Sequence, residues 1–173
     1  MESTLRTDRP KIPGDYLAPK RLAWPWAESR LAESRNYWIT TVCADGVPHA
    51  RPVWGVWLEG RLCFSSGSRI RAHLERSPAV SVNLESGDEC VILEGSATLV
   101  RDEALTRRIV AAYNEKYHWD LEAKPGEFFE ARPRVVFGWL CDGTGRDGGA
   151  LFSQTATRWR FDEVASSSPD EGS

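Results

Sequence analysis

The sequence holds no apolar stretch long enough to span a bilayer, and the segment from Met1 to Pro13 has no hydrophobic core of signal-peptide length. Both absences point to a cytoplasmic protein with no membrane partner. An excess of positive charge is also missing: 22 Lys and Arg face 25 Asp and Glu, for a net charge of −3. A general nucleic-acid binder needs net positive charge to displace counterions from phosphates, so nucleic acid is not an expected partner. Cys43, Cys63, Cys90 and Cys141 lie far apart and form no C-x-x-C pair, which removes the usual signature of zinc. Reduced, mostly buried thiols are expected. There is no G-x-S-x-G, no Walker loop and no G-x-G-x-x-G after a strand. Asp142-Gly143-Thr144-Gly145 sits in a glycine-rich loop and carries no protease context. No nucleophile–base pair stands out. An enzyme built on this chain would therefore leave its chemistry to a cofactor.

The 173 residues suit one domain with loose ends, large enough to fold without disulfides. A polar arm is expected over residues 1–20, the domain over 21–164 and a disordered tail over 165–173, where ASSSPDEGS lacks apolar groups. Eight tryptophans are many for this length and suit a barrel core, an interface or a stacking site.

The pattern predicts a helix from Pro25 to Ser34, with proline in the first turn. Tyr37–Cys43 is β-branched and aromatic and reads as a strand. Asp45-Gly46 turns it into a second strand over about Val47–Trp57, and Glu59-Gly60 turns that into a third over Arg61–Ser65. A short helix follows over Ser68–Ser77, with Ser68 as its N-cap and Pro78 as its stop. Strands are expected over Ala79–Leu84 and Glu89–Val100, the latter with a bulge at Gly95. Asp102 caps a helix to Tyr117, on which Leu105, Ile109, Ala112 and Lys116 recur at helical spacing beside Tyr113. Pro133–Cys141, Leu151–Ser153 and Thr157–Phe161 complete the set. Short hairpin-linked strands with two helical interruptions imply a mainly β fold, an antiparallel barrel with helical insertions.

The densest chemistry lies in Phe64-Ser65-Ser66-Gly67-Ser68-Arg69-Ile70-Arg71. A strand ends in hydroxyls and glycine, and a helix then begins with two arginines. Helix N-termini offer free N–H groups, serines add neutral donors, and a guanidinium matches phosphate oxygens. Ser65, Ser66 and Arg69 form the expected anion site, with Arg71 and Arg76 on the solvated side of the helix. Arg51 lies in the neighbouring strand beside Pro52, which implies an edge or a bulge where a ligand approaches. His49 is a weak candidate proton donor. In Thr157–Phe161, Arg158 and Arg160 alternate with Trp159 and Phe161. An aromatic there could stack on a planar ring, or Trp159 could close the core.

Taken together, Thr40-Thr41, Asp45-Gly46-Val47-Pro48-His49, Pro52-Val53-Trp54, Phe64–Arg69, His73–Val80, Gly95-Ser96-Ala97 and the terminal Thr157–Phe161 resemble the pyridoxamine 5′-phosphate oxidase-like family. The resemblance spans about 125 residues. It implies a split β-barrel of the FMN-binding type, a homodimer with its cofactor sites at the subunit interface, and FMN or the deazaflavin coenzyme F420 as cofactor. Some members bind haem or biliverdin instead. Arg51, Pro52, Val53 and Trp54 would line the ring, while Ser65, Ser66 and Arg69 would hold the phosphate. Trp159 or Arg160 would approach from the partner subunit. The family's usual lysine is replaced here by Arg69. The end of the chain resembles the deazaflavin-using branch and lacks the arginine-rich substrate end of true pyridoxamine phosphate oxidases. The implied activity is hydride transfer between the cofactor and a small conjugated molecule; a protein that only binds or sequesters a flavin, haem or tetrapyrrole is the alternative.

Overall fold

The two tight turns read from the sequence set up the sheet. At Asp45-Gly46 the glycine takes φ +84°, and Asp45 Oδ1 accepts from the Val47 N–H. At Glu59-Gly60 both residues have positive φ, the geometry that matches a two-residue turn to the twist of its strands. A computed structural model describes residues 5–8, 21–142 and 148–161. In it, the turns join β2 (Asn36–Val42), β3 (Pro48–Leu58) and β4 (Arg61–Ser65) into an antiparallel meander. The expected tail over 165–173 lies outside the described residues, as does most of the arm. Within the arm, Leu5–Asp8 forms a strand, β1, rather than a loop.

The strands β5 (Ala79–Asn83), β6 (Glu89–Leu99) and β7 (Phe128–Leu140) complete a six-stranded antiparallel barrel in the order β7-β4-β3-β2-β5-β6, closed by β6 on β7. The barrel splits at β7. One edge of β7 pairs with β6 along its length, while the other pairs first with β4 and then with β8 (Thr157–Phe161), onto which β1 adds. Trp24 plugs the divergence, with its ring 5.0 Å from Phe161, 5.7 Å from Trp159 and 6.3 Å from Trp57. Much of the tryptophan excess is therefore core material.

Among the described residues four helices cover the barrel: α1 (Trp24–Glu33), α2 (Ser68–Arg76), α3 (Glu103–Tyr117) and α4 (Gly148–Thr155). Pro25 lies in the first turn of α1, and Asp102 caps α3 by accepting from the Leu105 N–H, both as expected. Ile70 and Leu74 of α2 point into the core. Ser68 is not the cap of α2: Gly67 takes that position, and no side chain caps the helix. Leu151–Ser153 belongs to α4 rather than to a strand.

β7 begins at Phe128, earlier than Pro133. Proline usually marks a strand's start because it lacks a ladder donor, but here it sits at a bulge where that donor is not needed. The register shifts between Glu94 and Gly95, leaving Arg134 as the extra residue on β7. A β-carbon on Gly95 would stand 1.9 Å from the Arg132 carbonyl oxygen. We expect Gly95→Ala to force the two backbones apart and cost about 3 kcal/mol of stability. Thermal melting checks this, and an unchanged midpoint would refute the close approach.

Candidate functional site

The site forms where the β3–β4 ladder ends. That ladder pairs Leu58–Gly55 with Arg61–Phe64 and goes no further. Beyond it the half of β3 carrying Pro52 pairs only with β2, so the missing proline N–H disrupts no ladder and the expected edge is present. Tyr113 of α3 sits in the fork. Its hydroxyl accepts from the Ser65 N–H at 3.3 Å and donates to the Trp54 carbonyl at 2.7 Å. This buried hydroxyl bridges the two strands as they separate. The sequence marked Tyr113 only as part of a helical stripe.

Between the open half of β3 and the start of α2 lies an open cleft of about 340 Å³, lined by His49, Arg51, Pro52, Val53, Ser66, Gly67, Ser68, Arg69 and Ile70. Five residues picked out from the sequence, Arg51, Pro52, Val53, Ser66 and Arg69, thus converge. β3 runs from the barrel interior at Trp57 and Val53 outward to Arg51 and His49 on the same pleat face, and so carries the core wall into the cleft. Arg51 and Arg69 have no carboxylate partner among the described residues. By contrast, Arg30, Arg61, Arg108, Arg132 and Arg158 are all ion-paired. With Gly67 as an uncapped N-cap, the first N–H groups of α2 face the same space. A β-carbon at Gly67 would touch nothing within 4 Å, so the cleft is open there.

The other arginines of α2 serve the scaffold. Arg71 donates to the Gly126 carbonyl at 2.6 Å and lies over the Phe129 ring, and Arg76 donates to the Val42 carbonyl at 2.7 Å. Ser65 lies just outside the cleft lining and is anchored by its own backbone. Trp54 is on the opposite pleat face from Arg51, half exposed, with its ring edge-on to Trp119 at 5.2 Å.

The terminal strand behaves differently from the cofactor-contacting role the resemblance implied. Trp159 is 0% exposed, the largest fully buried side chain, and packs over Gly138. Among the described residues its Nε1 finds no partner. A ring sealed in its own core has no face left for a ligand, so the core-closing role holds. Arg160 donates to Asp8 at 3.2 Å, beside the tighter Arg158–Asp8 pair at 2.5 and 2.7 Å. In a single chain neither Trp159 nor Arg160 belongs to the cleft lining.

Sequence reasoning undervalued His49, which forms a wall of the cleft. Its Nε2 accepts from the Arg51 Nε–H at 3.3 Å, and its ring meets that of His73 edge-to-face at 5.3 Å. His73 is buried and shares a 2.9 Å hydrogen bond with Thr41 through Nδ1. Partial burial, then the charges of Arg69 and Arg51, hold the His49 imidazole below its ordinary pKa. Ser68 and Ile70 complete the lining. Their signal was adjacency to Arg69, masked by the capping role assigned to Ser68.

The thiols are free, with Cys63 and Cys90 buried. Burial pushes the Cys63 thiol up to about 12, which makes it a poor nucleophile. Among the described residues no group of His, Cys, Asp and Glu is arranged for a metal, and no helix is long and apolar enough to cross a membrane.

Fold and cleft together define a split antiparallel barrel with a cationic notch beside the open half of β3. The chain belongs to the pyridoxamine 5′-phosphate oxidase family, whose profile matches residues 25–140, about two-thirds of its length. Three solved structures show the same fold. A conserved hypothetical protein from Mycobacterium tuberculosis aligns with TM-score 0.62 at 20% identity, covering 76% of this chain and 90% of that one. An F420 reductase aligns with TM-score 0.50 at 19% identity, covering 63% and 94%. A pyridoxamine 5′-phosphate oxidase-related, FMN-binding protein from Nostoc punctiforme aligns with TM-score 0.50 at 17% identity, covering 66% and 78%. No curated protein matches the sequence.

Proposed function

We propose that the protein is a flavin- or deazaflavin-dependent oxidoreductase that uses FMN or coenzyme F420 and acts on a small conjugated molecule. One observation carries this reading: Arg51 and Arg69, both without carboxylate partners among the described residues, meet Ser66, Ser68 and an uncapped helix start on one cleft. Those donors fit a phosphate. Arg69 can grip it bidentately where a lysine would act as a point charge. Pro52 and Val53 offer an apolar edge for the planar ring, Ser65 and Trp54 adjoin the lining in sequence as further proposed contacts, and Arg160 would approach from a second copy of the chain. The names of the F420 reductase and the FMN-binding protein of similar fold agree with this choice of cofactor.

When bound, such a ring gives or accepts a hydride. The chain's part is to bind, orient and exclude water, since among the described residues the cleft lining contains no carboxylate or thiol and one imidazole, His49. At about 340 Å³ the cleft lies at the small end for a cofactor site and is open on one side. A second copy of the chain would supply the missing wall. The outer face of β2 and β3 next to the cleft exposes Trp38, Val42 and Trp54, with Val47 of the connecting turn also exposed, an apolar patch suited to a homodimer.

Titrating the purified protein with FMN and, separately, with F420 is expected to quench or shift cofactor fluorescence with a Kd on the order of micromolar or tighter. No change with either would sink the proposal. A second assay presents the reduced cofactor complex with quinones, enones and nitro compounds. Binding without turnover of any of them would make the protein a cofactor carrier instead.

A further inference from the structure

In the cationic cleft Arg51 donates to His49 Nε2 at 3.3 Å. Two groups that could both meet an anion are bonded to each other, and the bond dictates a protonation state. Because Nε2 accepts from Arg51, its lone pair is occupied and the imidazole is neutral, with its proton on Nδ1. The groups around it keep it so. Arg51 lies two residues along β3, Arg69 and His73 face it from α2, and on β2 the residue in register is the uncharged Thr41. Among the described residues it forms no ion pair with a carboxylate.

An anion between Arg51 and Arg69 would reverse this balance. A phosphate offers Arg51 a charged acceptor in place of a neutral nitrogen, and charge-assisted hydrogen bonds are the stronger kind. Once Arg51 turns to the phosphate, Nε2 is freed beside a negative charge, which favours the imidazolium. The proton comes from solvent, and the protonated Nε2 then donates to the anion as a third cation of the cleft.

We propose that His49 exchanges its hydrogen bond from Arg51 for a solvent proton when a phosphate enters the cleft, so that cofactor binding takes up one proton. This rests on the phosphate reading of the cleft. In it, His49 restrains Arg51 in the empty site and helps to neutralise the ligand in the filled one. His73 is a positioning residue: tied to Thr41 and packed edge-on to the His49 ring, it sets where that ring stands.

The test is calorimetric titration of the full chain with FMN and with F420 at pH 8, where the phosphates of both are fully ionised and take up no proton themselves. Repeating it in buffers of different ionisation enthalpy gives the number of protons taken up. Wild-type protein is expected to gain up to one proton per cofactor bound, and affinity is expected to fall by up to about tenfold per pH unit above neutrality. His49→Gln keeps an acceptor for Arg51 but cannot take the proton. It should still bind, with no uptake and a flat pH profile. Binding by wild-type protein with no proton uptake, or equal uptake in wild type and His49→Gln, overturns the proposal and leaves the cofactor reading intact. Absence of binding by either cofactor overturns both.

Discussion

Trp159→Ala is expected to destabilise the protein by about 3–5 kcal/mol, the range for deleting a large buried aromatic. The indole is fully enclosed, with Trp24 edge-on at 5.7 Å and Gly138 beneath it. A typical domain has only about 5–15 kcal/mol in hand, so the variant should melt far below the wild type or fail to accumulate. Cofactor affinity would then fall because the barrel is lost. Trp159→Phe separates the two possibilities. It removes the unpartnered Nε1 and keeps most of the apolar bulk, so it should fold and bind the cofactor with unchanged affinity. A Trp159→Phe protein that melts like the wild type yet has lost cofactor affinity would place the indole in the site after all.

The double variant Arg51→Ala, Arg69→Ala should fold normally and lose cofactor binding. Both side chains are exposed, and neither makes an ion pair among the described residues. Each would give up one or two hydrogen bonds to a charged ligand at about 1.5–3 kcal/mol apiece. The pair should weaken the Kd on the order of a hundredfold or more, by the same fluorescence titration. The control is Arg71→Ala, which breaks the contact with the Gly126 carbonyl and the Phe129 ring. That change should lower the melting temperature while leaving affinity largely intact in the folded protein. Equal losses of affinity in both variants would mean that the cleft does not distinguish ligand-facing from structural arginines.

This contrast shows where sequence reasoning had purchase. Arg69 and Arg71 are two residues apart on one short helix and look alike as letters. A helix turns about 100° per residue, so one can face the cleft while the other reaches over β7. The phosphate-type cluster from Phe64 to Arg69 was legible because strand end, hydroxyls, glycine and helix start are contiguous. Arg51, thirteen residues before Phe64, could be joined to that cluster because Pro52 marked an edge. His49 was only a weak candidate proton donor, because its neighbour His73 meets it only once β3 and α2 are side by side. Trp159 failed in the opposite direction. An alternating strand shows that Trp159 and Arg160 face opposite ways, but not which of the two directions is the core.

The sequence by itself determined the local elements and the class of fold. Asp45-Gly46 and Glu59-Gly60 specify tight turns, the apolar periods specify which residues share a face, and the hydroxyl–glycine–arginine run specifies anion chemistry wherever it is placed. Tertiary structure decided the rest. It split the barrel at β7, turned Pro133 from a strand start into a bulge, brought Leu5–Asp8 onto the final strand, and enclosed Trp159. It also set His49 against His73. Each of these depends on contacts between residues distant along the chain, whose pairing is chosen by the closure of the whole barrel and not by local preference.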